Sequence, residues 1–161
     1  MIRFAYHAFA AFLLVTPAAV ATSANAAAHV SEGGVVTIES AHDVATTIDR
    51  LAAAVEGAGA KVFARIDHAA GAANVDLDLR PTQMLMFGNP KLGTPALKAA
   101  QTIGMDLPLR VVAWQDESGK TMISYTDPAA MAARHGIAAD HPVVGKMTGA
   151  LKKLTGKAAG L

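Results

Sequence analysis

Apolar residues recur along this chain in two rhythms, one of a helix and one of a strand. From Ala41 to Glu56, Val44, Ile48, Leu51 and Val55 return at steps of four, three and four. That spacing lines one face of a helix. From Lys61 to Asp67, Val62, Ala64 and Ile66 take every second position, the period of a half-buried strand. The two periods together predict strands at Val35–Glu39, Lys61–Asp67, Gln83–Phe87, Leu109–Gln115 and Thr121–Thr126. Helices are predicted at Ala41–Glu56, from Thr94-Pro95 to Gly104, from Asp127-Pro128 to Gly136, and from Pro142 to Gly160.

Punctuation residues set the boundaries. Ser40 stands three positions before Asp43, close to a capping box. Gly57 and Gly59 end the first helix, since Gly tolerates a left-handed cap. Thr94 can cap and Pro95 suits a first helical position. Asp116 to Lys120, with Gly119, is a hairpin turn, and Asp140 is the expected cap of the last helix. His68 to Asn74 reads as a loop or one short helical turn, and Val75, Leu77 and Leu79 alternate weakly after it. The order is β-α-β-β-α-β-β-α-α. Its hairpin-like pairs point to an α+β fold in two layers, a mainly antiparallel sheet with helices packed on one face.

The first 26 residues read as a signal peptide. Arg3 supplies the positive start, Ala8 to Val15 is a short apolar run, and Ala24-Asn25-Ala26 is a small-x-small cleavage pattern. Cleavage after Ala26, or two residues on after Ala28, places the protein in the periplasm. The apolar run falls short of the about 20 residues that a membrane span needs. Residues 27–34 form a leader, 35–136 a single α+β domain, and 137–161 a C-terminal amphipathic helix. The chain carries 14 Lys and Arg against 13 Asp and Glu, a formal charge of +1. Loss of Arg3 with the signal peptide brings the balance to zero, which gives no support for nucleic-acid binding. There is no Cys. Disulfides, thiolate nucleophiles and Cys-based metal sites are therefore excluded.

Several segments carry a family pattern. Leu79 to Pro90 reads Leu-Arg-Pro-Thr-Gln-Met-Leu-Met-Phe-Gly-Asn-Pro, with Leu92-Gly-Thr94 just after. Val62 to His68 ends in an Asp-His pair, Asp106 precedes Leu107-Pro108-Leu109, and Trp114 to Tyr125 forms a hairpin with an acidic-Gly turn. In order and spacing these segments resemble the bacterial family known as domain of unknown function 302, over Val35 to Gly136. The resemblance implies a compact two-layer α+β domain that forms a homodimer, and it brings no catalytic residues.

Chemistry rests on few residues. Asp67-His68 suits a general base or a metal ligand, or else a carboxylate tying the loop backbone beside a locally bonded His. Gly88-Asn89-Pro90, with Lys91, offers either a structural turn or backbone N–H groups that cradle an anion. His68, His135 and His141 can share copper or zinc only where the fold joins them. His29 becomes the third residue after cleavage at Ala26, and Ala-Ala-His suits square-planar Cu(II). Met84 and Met86 share a strand face as a Cu(I) pair or as core filler. Ser124 and Tyr125 end the hairpin, and without a Gly-x-Ser-x-Gly elbow they do not suggest a serine hydrolase. The tail sets Val144, Met147, Leu151, Leu154 and Ala158 in a stripe, with Lys146, Lys152, Lys153 and Lys157 mainly elsewhere. It can dock on the domain, pack across a dimer, or lie along 142–160 on an anionic membrane.

These features lead to the expectation of a secreted, non-enzymatic binding or accessory domain. Its ligand is a small anion or a metal ion, held near His68, Gly88, Asn89 and Tyr125. Two alternatives stand beside it. One is an enzyme with His68 as general base and Tyr125 as stabiliser of an oxygen atom. The other is a structural partner protein acting through its C-terminal helix.

Overall fold

The computed structural model describes residues 28–161; residues 1–26, the expected signal peptide, lie outside the described residues. Strands are β1 (His29–Val30), β2 (Val35–Ser40), β3 (Lys61–Asp67), β4 (Thr82–Gly88), β5 (Leu109–Gln115) and β6 (Thr121–Thr126). Helices are α1 (Val44–Gly57), α2 (His68–Ala73), α3 (Pro90–Ala99), α4 (Pro128–Arg134) and α5 (Pro142–Ala159), with a 3-10 turn at Gln101–Met105. The strands form one antiparallel sheet in the order β1-β2-β6-β5-β4-β3. The fold is α+β, as the periodicity predicts.

One face of the sheet and two helices make the core. Leu85 and Phe87 of β4, Val111 and Ala113 of β5 and Ile123 of β6 are buried with Ile48, Leu51 and Val55 of α1. Met147, Leu151 and Ala158 bring α5 into the same cluster. The C-terminal helix is therefore packed into the domain. Arg50 of α1 fastens its end, donating to the carbonyls of Ala158 at 3.1 Å and Lys157 at 3.0 Å. The opposite face carries Met84, Met86, Val112, Trp114 and Met122, which shield one another only partly. The two methionines thus lie outside the core.

Several boundaries move for clear reasons. Asp43, not Ser40, caps α1 by accepting from the Thr46 N–H at 2.7 Å. Ser40 is buried and turns its hydroxyl to Thr47 at 2.8 Å. Asn89-Pro90 has the same cap-then-Pro grammar as Thr94-Pro95 and comes first, so α3 begins at Pro90 and holds Pro95 inside. His141 replaces Asp140 as the cap of α5, with Nδ1 accepting from the Val143 N–H at 3.3 Å. His29 and Val30 of the leader pair with β2. Val75 and Leu77 find no partner strand and stand 64% and 65% exposed.

Leu51 is fully buried. Leu51→Ala is expected to cost about 2–5 kcal/mol in a denaturant titration. Exposed Val75→Ala should stay within about 0.5 kcal/mol.

Candidate functional site

The connector between the 3-10 turn and β5 places a carboxylate among cations. Asp106 Oδ2 meets His135 Nε2 at 2.7 Å, and Oδ1 meets Arg134 Nη2 at 3.0 Å. Arg110 stands one strand turn on, its Nη2 at 4.0 Å from the same Oδ1 and donating to the Met105 carbonyl at 2.8 Å. The other ring nitrogen of His135 shares a hydrogen bond with Thr102 Oγ1 at 3.1 Å.

Local sequence builds this arrangement. Asp127 caps α4 and Pro128 fills its first position. Gly136 ends it at φ +69. The Gly136 and Ile137 N–H groups then return to the carbonyls of Ala133 and Ala132, which is the glycine-terminated helix end. That stop fixes Arg134 at the helix C-terminus, where a cation is favoured, with the His135 ring beside it, both facing Asp106. Burial pushes the Asp106 carboxyl up, but the His135 hydrogen bond and the Arg134 guanidinium outweigh it and hold the carboxyl below its usual range. A cavity of about 340 Å³ opens beside the cluster. Its lining includes Asp106, Arg110 and Arg134 together with Val35, Met84, Val112 and Tyr125. Burial raises the Tyr125 phenol above its ordinary value, so it stays neutral there.

The residues singled out in the sequence do not form one site. His68 is the exposed first residue of α2. Asp67 does not serve it: Oδ1 accepts from the Ala70 N–H and Oδ2 from the Gln83 amide, each at 2.9 Å. Asn89 caps α3 through the Lys91 N–H and donates to the Gly59 carbonyl, again at 2.9 Å. Its carbonyl oxygen is thus spent on the helix. The β3–β4 register puts Asp67 against Gln83 and Lys61 against Gly88. His68 and Asn89 therefore sit at opposite ends of the strands, about 20 Å apart. Gly88 and Asn89 line a separate apolar cavity of about 390 Å³, with Phe63 and Pro108.

The same topology keeps the candidate metal-ligating histidines apart. His29 lies on the β1 edge of the sheet, His68 beyond the β3 edge, His135 beside Asp106, and His141 at the cap of α5. Among the described residues, no group of three or more His, Cys, Asp or Glu side chains gathers to hold a metal ion. Of the expected set, only Tyr125 and His135 belong to the region of the charged cavity. Asp106, Arg110, Arg134 and Thr102 escaped the sequence reading. Arg134-His135 just ahead of a helix-stopping Gly136 was the available signal.

Comparison with known proteins follows this geometry. The family model for "Domain of unknown function DUF302" matches residues 36–154. Proteins named fluoride-specific ion channel FluC 1, from Brucella suis biovar 1 (strain 1330) and Brucella abortus biovar 1 (strain 9-941), are 45% identical over 124 residues. The match covers 76% of this chain and 49% and 46% of those proteins. The chain thus spans about half the length of the curated relatives it matches. A crystal structure of an uncharacterized conserved DUF302 protein from Bacillus stearothermophilus superposes with a TM-score of 0.71 at 20% identity. It covers 78% of this chain and 98% of that one, and shows the shared fold.

Asp106→Asn removes the charge that Arg134 and His135 face, and is expected to cost about 1–2 kcal/mol near neutral pH. Because the folded carboxyl lies below its ordinary 3.8, its contribution is full above that value and is lost as pH falls through the folded pKa. Denaturant titrations of the two proteins should converge in that acid window. A gap that persists there would contradict the ionic account.

Proposed function

This chain belongs to the DUF302 family, and we propose that it is a secreted, periplasmic accessory domain that binds a small inorganic anion and catalyses no reaction. One observation carries the reading. Arg110 and Arg134 converge on a single carboxylate at the side of an open cavity. Even with His135 neutral, two cationic groups stand against one anionic group. Arg presents planar, fixed donors suited to anions, and the cavity leaves room beside them.

The Brucella relatives favour the same reading. They are named fluoride-specific ion channels, and a channel built of helices must span the membrane. Among the described residues no helix is long and apolar enough to do so. This chain covers about half of those proteins, which supports reading it as an accessory part beside a channel. Fluoride is the first anion to test, with phosphate as the competing oxyanion. The leader pattern of the first 26 residues supports export.

Titration with fluoride followed by fluorine NMR, and with phosphate by calorimetry, tests the site. At least one of these anions should bind saturably, and Arg110→Ala/Arg134→Ala should weaken it by about tenfold or more. Equal affinity in the double variant, or no saturable binding of either anion, rejects the proposal.

A homodimer is part of the same proposal. A row of Ile66, Met84, Val112, Ser124 and Thr37 crosses the sheet face that lies opposite the core. A second copy of that face supplies the apolar cover the first one lacks. Val112→Glu places a charge at its middle and should give a folded monomer by light scattering. A dimer that persists in this variant contradicts packing through the sheet.

A further inference from the structure

α5 buries one side and presents the other as a cationic strip. Val143, Val144, Met147, Leu151 and Leu154 face the core. Its apolar stripe is thus occupied and is not free to enter a bilayer as an amphipathic helix does. Lys146, Lys152, Lys153 and Lys157 point outward. From Pro142 onward the sequence holds no acidic residue. Among the described residues none of these four lysines has an ion-pair partner.

The strip is broad and shallow. Arg50 extends it from α1, its guanidinium held on the last carbonyls of α5. A Cβ at Gly149 or Gly156 would meet nothing within 4 Å, so a wide partner can approach the backbone between the lysines. The charge is also localised. Five of the chain's 14 Lys and Arg gather here while the whole chain carries only +1. The remaining surface is net acidic, which orients the domain in an external field.

We infer that this face docks the domain on an anionic phospholipid surface. Charge complementarity selects the lipid headgroups, and Gly149 and Gly156 leave the backbone between the lysines open to a plane. Binding is peripheral and electrostatic, so each lysine adds a small increment and salt screens it. The inference rests on the accessory reading only in placing a membrane nearby. The vesicle test uses neither fluoride nor phosphate as ligand, so its failure leaves the Arg110–Arg134 site standing.

Co-sedimentation of the purified protein with phosphatidylcholine vesicles, with and without phosphatidylglycerol, decides it. The protein should bind only the phosphatidylglycerol vesicles and release them at high salt. Lys152→Glu/Lys153→Glu should lower the partition by about tenfold or more. Lys91→Glu/Lys98→Glu makes the same charge change on exposed positions of α3 and should leave most binding intact. Circular dichroism of both variants confirms the fold. Three results would overturn the inference: no binding to phosphatidylglycerol vesicles, equal binding to the neutral ones, or equal loss in both variants.

Discussion

The molecule depends on burying one face of a six-stranded sheet under two helices. No disulfide is available to staple a chain without Cys. The contact of Ile48, Leu51 and Val55 with Leu85, Phe87, Val111 and Ile123, closed by Met147 and Leu151, therefore supplies the fold's main cohesion. This choice of core has consequences elsewhere. It consumes the apolar stripe of α5 and turns that helix's lysines outward. It leaves the opposite sheet face, with Val112 at its middle, only partly covered.

The Asp106 cluster is a tie laid over that frame. It links the connector before β5 to the end of α4, two segments whose backbones do not pair in the sheet. The tie is made from charge, and its surplus is positive. A purely structural clasp needs one cation for one carboxylate. Here Arg110, Arg134 and His135 share Asp106, next to open space. The same excess that makes the cluster suited to an anion makes its stability sensitive to the protonation of one residue.

Much of the fold was legible because it rests on local rules. The steps of four, three and four in α1 and the alternation in β3 are physical requirements of a one-sided core, and they read directly. Caps read less well, since Asn89-Pro90 and Thr94-Pro95 obey the same rule and the earlier pair starts the helix. The site was the least legible. Asp106, Arg110 and Arg134 are ordinary surface residue types, and nothing local says that a helix stopped at Gly136 will face the connector. His68 drew notice because it follows a carboxylate. In the fold that carboxylate serves the α2 backbone and Gln83, while His68 lies on the far side of the strands from Asn89. His135 was named only as a metal ligand, because its partners Asp106 and Thr102 are distant in sequence.

The most direct test of the account is the response of side-chain NMR signals to fluoride and, separately, to phosphate. The account predicts that at least one of these anions produces saturable changes concentrated on the guanidinium groups of Arg110 and Arg134 and on the His135 ring. Changes centred instead on the Asn89–Lys91 turn, or no change with either anion, would contradict it.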